Sequence, residues 1–209
     1  MGHGEALNLL VSLLALTNPL GNLPLFLRIT AAETTAGRRR IALVSGGSAF
    51  VTMVLFYWFG LAVLAAFGIS LEAFVLGGGL ILLLYGLAMV RAPETLIPFP
   101  TGEPGALERR SPAVVPLAIP LLVGPGTIAR VMLHRYDLPG SEAGMLATLT
   151  ILVAAVLITL TWLFAEQLSR WVGPAGISAL SRVLGMLLMA IGFTGITRAL
   201  ALLWPALAG

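Results

Sequence analysis

Two stretches of this 209-residue chain join residues that bind small polar solutes to residues that interrupt helices. They are NPLGNLP, residues 18–24, and IPLLVGPGT, residues 119–127, each inside an apolar run. Proline removes a backbone donor and clashes with the preceding turn. In hydrocarbon an unpaired peptide group is costly, so irregular backbone survives only where protein or a wet cavity surrounds it. Asn18 and Asn22 bring amides, Thr17 and Thr127 bring hydroxyls. Gly21, Gly124 and Gly126 let backbone approach a ligand. Pro24 and Pro125 suit the first turn of a half-helix. The N–H groups of Leu25, Phe26, Gly126 and Thr127 are then expected to lack intrahelical partners and to attract an anion. A small zwitterion fits such a pair of breaks, its carboxylate on the half-helix N-termini and its ammonium on carbonyl and Asn oxygens. The candidate substrate set is Thr17, Asn18, Pro19, Gly21, Asn22 and Pro24 at the first break. At the second it is Pro120, Gly124, Pro125, Gly126 and Thr127. The competing reading is a pair of kinks that serve packing alone, which transmembrane helices tolerate.

Composition sets the elements that must position these residues. Only 10% of the chain is charged and 58% is hydrophobic, whereas a soluble domain carries about 25% charged residues. The chain reads as an all-α integral membrane protein with the lipid bilayer as a partner. Its basic excess is 12 Arg, with no Lys, against 9 acids. The arginines sit at the ends of apolar runs without interleaved aromatics, so they read as orientation signals rather than as nucleic-acid contacts. No cysteine is present, and His3 and His134 lie far apart, which disfavours a metal centre. The apolar runs contain no nucleophile–base pair and no paired carboxylates, so an enzyme is disfavoured and no cofactor is expected. No clean small-x-small cleavage site follows the N-terminus, and the first apolar segment is expected to stay in the mature protein.

Six apolar segments emerge: 6–29, 41–67, 71–90, 113–133, 145–164 and 183–204. About 20 residues are needed per crossing. A polar connection over 91–112, rich in Pro, Gly and charge, divides the chain into halves 1–90 and 113–209. With six crossings, nine of the twelve arginines fall on one side, which the positive-inside rule makes cytoplasmic and which puts both termini outside. The halves also repeat. Gly68-Ile69-Ser70 recurs as Gly176-Ile177-Ser178, Val75-Leu76-Gly77 as Val183-Leu184-Gly185, and Leu80 as Leu188, giving seven identities in thirteen ungapped positions. Pro19 and Pro24 correspond to Pro120 and Pro125. Three crossings per half would make the repeat inverted, a 3+3 arrangement with segments one and four broken, as in many secondary transporters. Re-entrant hairpins in place of the broken crossings remain an open alternative.

Some polar residues lie outside the breaks. Glu72 opens segment three and Arg130 lies within segment four; both are candidates for gating or anion contact, against end-of-helix solvation for Glu72 and snorkelling for Arg130. Arg182 and Arg198 read as interface residues, and Glu166 with Arg170 as a routine i, i+4 pair. Trp58, Trp162, Trp171 and Trp204 read as interface aromatics. Gly77-Gly78-Gly79 and Gly185 read as close helix packing.

NPLGNLPLFL (18–27), FGISLEAFVLGGGLILLLYGL (67–87) and VPLAIPLLVGPGTI (115–128) resemble the MarC family of small six-helix bacterial inner-membrane proteins, also called the SnatA or neutral-amino-acid-transporter family. The resemblance covers nearly the whole chain. It implies an inverted-repeat helical fold in a bacterial or archaeal cytoplasmic membrane, and carriage of glycine, alanine and similar small solutes. By position it maps onto Asn18, Pro19, Gly21, Asn22 and Pro24, and onto Pro116, Pro120, Gly124, Pro125 and Gly126. Two departures stand out. Family members often follow GPG with Ala-Ile-Ser, where this chain has Thr127-Ile128-Ala129 and then Arg130. Many carry a basic residue where this chain has Val75. The expected function is a secondary transporter of small neutral amino acids, coupled to Na+ or H+. A channel or facilitator, or a non-transporting membrane partner, are the alternatives, and a homo-oligomer is compatible with all of them.

Overall fold

A computed structural model describes residues 2–91 and 123–204, and among these every regular element is an α-helix. Segment one yields α1 (His3–Thr17) and α2 (Leu23–Ile29). Then come α3 (Thr35–Ala66) and α4 (Leu71–Arg91), and after the polar connection α5 (Pro125–Asp137), α6 (Ser141–Leu163) and α7 (Ala165–Leu203). Of the connection 91–112, only Arg91 is among the described residues, and it ends α4.

Local chemistry sets the boundaries. The Thr34 hydroxyl caps α3 by accepting the Gly37 N–H at 3.1 Å. The other end of α3 closes in a Schellman turn. Gly68 takes φ 67°, the Ile69 N–H reaches Leu64 O at 2.9 Å, and the Gly68 N–H reaches Ala65 O at 3.1 Å. Ser70 then caps α4 through the Ala73 N–H at 3.2 Å.

Among the described residues, four helical stretches are long and apolar enough to cross a membrane: Thr35–Ala66, Leu71–Arg91, Ser141–Leu163 and Ala175–Leu203. Six crossings were expected, with segments one and four broken. The shortfall has two sources. Segment one is divided at residues 18–22, leaving α1 at 15 residues, and α5 has 13. These are about 22 and 20 Å of helix at 1.5 Å per residue, below the ~30 Å of the hydrocarbon core. The first part of segment four, 113–122, lies outside the described residues. The outer surface of the bundle is apolar, with Leu55, Phe59, Leu84, Leu149 and Phe193 all exposed. A water-facing monomer does not present such a surface, and acyl chains cover it.

The tightest contact joins α4 to α7. A Cβ on Gly79 would come within 2.7 Å of Gly192 O, and one on Gly86 within 2.5 Å of Gly185 O. Numbers rise along one helix as they fall along the other, so the two run antiparallel. Small residues let backbones approach this closely, and packing rather than hydrophobicity drives helix association in lipid.

Three readings change. Gly176-Ile177-Ser178 does not repeat the turn at 68–70; it lies inside α7, and the left-handed residue is Gly173, at φ 69°. Gly173 precedes Pro174, and proline fixes φ and begins a helix more readily than it continues one. The last spanning helix therefore starts near Ala175 rather than Val183, and Arg182 lies two turns inside it. Glu166 does not pair with Arg170. It forms an ion pair with Arg38, whose guanidinium also donates to Thr30 Oγ1 at 3.2 Å and Thr30 O at 3.1 Å. One arginine thus ties α2, α3 and α7 together.

The glycine contact separates two substitutions on one helix. Gly86→Leu should force α4 and α7 apart and lower stability by about 3 kcal/mol or more, because overpacking typically costs 1–3 kcal/mol and here the obstacle is backbone. Gly77→Ala meets no atom within 4 Å and should stabilise by about 0.5–1 kcal/mol. Thermal unfolding in detergent reads both; equal effects would refute the close approach.

Candidate functional site

The first break is a buried polar knot. Thr17, Asn18, Pro19 and Asn22 are buried, and Asn18 adopts the left-handed conformation, φ 43°, as the C-cap of α1. Asparagine tolerates this because its short side chain bonds locally. The Asn18 side-chain oxygen accepts the Gly21 N–H at 3.0 Å, and its amide nitrogen donates to Met89 Sδ at 3.4 Å. The Asn22 amide donates to Thr17 O at 3.1 Å, while its oxygen accepts the Tyr85 hydroxyl at 2.7 Å. Thr17 Oγ1 donates to Leu13 O at 2.8 Å. Trp162, buried on α6, donates its indole N–H to Pro19 O at 3.2 Å and stacks on Phe26 at 4.7 Å between ring centroids. A Cβ on Gly21 would overlap the Asn18 amide that accepts the Gly21 N–H, so a larger residue would displace that contact.

Two expectations about this break need correction. Helix α2 starts at Leu23, with Asn22 as its N-cap and Pro24 in the second position. The Phe26 N–H is therefore bonded to Asn22 O at 3.0 Å, and the Leu23 N–H to Leu20 O at 3.1 Å. Trp162 is not an interface aromatic. It is 1% exposed, and it holds a carbonyl that the break leaves without a helical partner. Trp58, Trp171 and Trp204 are exposed.

Of the second expected break only residues from Val123 on are described, and there Gly124 is the N-cap of α5 and Pro125 its first residue. Gly126 and Thr127 are buried; their N–H groups have no acceptor within the helix. A Cβ on Gly126 would overlap the Leu82 side chain, and Gly78 of α4 faces Pro125 O. Pro120, and Pro116 of the family motif, lie outside the described residues.

A cavity of about 850 Å³ opens between α1, α4, α5 and α7. Its deep end is formed by Leu16, Gly79, Leu82 and Gly126, beside both breaks. Its mouth lies where α1 starts and where α5 and α7 end, among Glu5, Asn8, Asp137 and Arg198. One face of α5 runs down the wall with a spacing of four: Gly126, Arg130, His134, Leu138. Arg130 does not snorkel into lipid but donates to Asn8 Oδ1 at 3.0 Å. Arg198 forms an ion pair with Asp137 at 2.6 Å. Thr17, Asn18, Phe26, Trp162 and Thr30 are buried and do not line the cavity, and Arg38 donates to Thr30 O at 3.1 Å. The geometry thus brings Gly126 and Arg130 to one cavity and places Asn18 and Asn22 in the packing behind it. Glu72 does not line it.

The wall residues Asn8, Ser12 and His134 were not singled out as site residues from the sequence. Asn8 and Ser12 are four apart on α1 and share a face, which was the available signal. Tyr85 and Met89 repeat that spacing on α4 and reach the two asparagines of the break. No sequence pattern announces that long-range pairing.

Apolar-surfaced helices, a chain interruption sealed by side chains and a polar cavity within the bundle define a polytopic helical membrane protein. The family model described as MarC family integral membrane protein matches residues 5–203. The chain belongs to the MarC family. Among its relatives, the UPF0056 membrane protein MJ1677 of Methanocaldococcus jannaschii is 34% identical, over 86% of this chain and 88% of its own. The UPF0056 inner membrane protein MarC of Citrobacter koseri is 32% identical, over 88% of each. The UPF0056 membrane protein YvbG of Bacillus subtilis is 32% identical, over 88% of this chain and 90% of its own. No solved structure matches.

The knot around the first break makes a graded test. Trp162→Ala should cost about 3–5 kcal/mol, as large aromatic truncations do. Trp162→Phe keeps the stack on Phe26 and should cost about 1–3 kcal/mol for the orphaned Pro19 carbonyl. If detergent unfolding ranked the two equally, the indole hydrogen bond would not be what holds the break.

Proposed function

We propose that this protein is a secondary transporter that moves small neutral amino acids across the cytoplasmic membrane. Two three-segment halves, 1–90 and 113–209, form an inverted repeat around the substrate path. The cavity carries this reading: its lining runs along α1, α4, α5 and α7, from Glu5, Asp137 and Arg198 to Leu16 and Gly126, next to the interrupted segments. That is the form of one state of an alternating-access carrier, with the site where the two halves meet. The antiparallel packing of α4 on α7 supports inversion, since these are the third segments of their halves. With both termini outside, as the arginine distribution indicates, the end lined by Glu5, Asp137 and Arg198 faces outward and the Arg38–Glu166–Thr30 contact lies on the cytoplasmic side. Asn18 and Asn22 hold the break in shape from behind, and Gly124, Pro125, Gly126 and Thr127 present the second break toward the floor.

Uptake of labelled glycine and alanine into proteoliposomes tests the reading, with a Na+ gradient, a proton gradient or neither. Saturable flux is expected in the wild type, with accumulation under one gradient. Asn22→Ala, which strands the Tyr85 hydroxyl, should reduce flux several-fold. Flux that never exceeds equilibrium under any gradient would favour a facilitator. No flux of any small amino acid from folded protein would favour a non-transporting partner. The chain has no native cysteine, so single cysteines at Asn8 and Ala36 should label from opposite sides of the membrane. Labelling from one side would overturn the six-crossing arrangement.

A further inference from the structure

Four charged side chains line the cavity: Glu5, Arg130, Asp137 and Arg198. Three have internal partners. Asp137 and Arg198 pair with each other at 2.6 Å, and Glu5 accepts the Gly2 N–H at 2.8 Å at the start of its own helix. Arg130 is different. Among the described residues its guanidinium meets one acceptor, the uncharged Asn8 Oδ1, and makes no ion pair. It is part-buried in the wall, one turn beyond Gly126. A guanidinium offers five donors in a fork that fits a carboxylate with two parallel bonds. Removing such a cation from water without a counter-ion is costly. His134 lines the same wall one turn further on; it is 4% exposed, and its Nε2 has no hydrogen-bond partner.

We propose that Arg130 is the carboxylate anchor of the cavity, and that the site takes a small monocarboxylate carrying its own positive charge. The ligand's carboxylate supplies the ion pair that Arg130 lacks. Glu5 shapes the choice: its carboxylate lines the same cavity and accepts only the uncharged Gly2 N–H, so it attracts an ammonium and disfavours a doubly charged anion such as phosphate. A zwitterionic α-amino acid satisfies both signs at once. This deepens the transport reading, rests on it for the ligand class, and puts the carboxylate on a side chain rather than on a half-helix N-terminus.

The test is ligand binding by the purified full-length protein in detergent, read by thermal stabilisation with alanine, propionate, ethylamine and inorganic phosphate. Alanine should stabilise the wild type strongly, propionate weakly, and ethylamine and phosphate not at all. Arg130→Gln should weaken alanine binding by about tenfold or more, as expected when a hydrogen bond to a charged group is lost, and Arg130→Lys should keep part of it. Asn8→Asp provides a variant at an exposed position. It places a carboxylate beside the intact guanidinium and should compete with the ligand to a similar extent. Equal binding of alanine by wild type and Arg130→Gln, stabilisation by ethylamine matching that by alanine, or no stabilisation by any carboxylate would each overturn the proposal. Binding through Arg130 without flux in proteoliposomes would leave this site standing and remove the transport reading. Flux unchanged in Arg130→Gln would do the reverse.

Discussion

Everything in this structure follows from one constraint: backbone that leaves a helix at membrane depth must find partners inside the protein. The break at residues 18–22 meets it with three side chains drawn from two other helices. Tyr85 and Met89 reach in from α4, and Trp162 reaches in from α6. Asn18 and Asn22 act twice over. Each satisfies a local backbone group, at Gly21 and Thr17, and each also receives or makes a contact from α4. The polar residues that look like ligand groups in sequence are therefore the means by which the chain can be broken at all.

That cost has a structural return. Because α1 ends at Thr17 and α5 begins only at Pro125, two helices stop near the same depth and leave a floor for the cavity above them. The walls are then set by the helices that do cross. α4 and α7 stand close enough at Gly79–Gly192 and Gly86–Gly185 to leave no solvent path between them along that seam. The cavity is confined to the side where α1 and α5 complete the ring. A tight glycine seam on one side and short helices on the other place the opening where these four helices meet.

Much of the architecture was legible beforehand because it rests on local rules. Composition gave the membrane class. Pro24 and Pro125 lie in the first turns of α2 and α5, and Ser70 and Gly68 mark their turn through capping chemistry. What could not be read was long-range. The Glu166 partner is Arg38, 128 positions away, although Arg170 sits at ideal helical spacing. Trp162 looked like an interface residue because it ends an apolar run, and only the fold shows that Pro19 lies against it. The sequence repeat also misplaced a turn. Identity at Gly176-Ile177-Ser178 is matched in helix packing, where Gly185 meets Gly86, but the chain bends at Gly173, where a glycine precedes a proline.

The same distinction between local and long-range information decides how the site should be understood. The breaks attract attention because proline, glycine and asparagine are conspicuous in an apolar run. Arg130 is less conspicuous: it is one arginine among twelve, and periodicity alone allowed it to face lipid or the bundle interior. What fixes its meaning is the pairing of its neighbours. Asp137 pairs with Arg198 and Glu5 accepts the N–H of Gly2, so Arg130 stands in the wall without an ion pair among the described residues. In the first break the side chains of Asn18 and Asn22 are hydrogen-bonded within the fold. A cation in a cavity wall that makes no ion pair among the described residues keeps donors open to a ligand. Such residual imbalance, rather than the presence of polar residues in a helix break, is the feature that points toward a ligand.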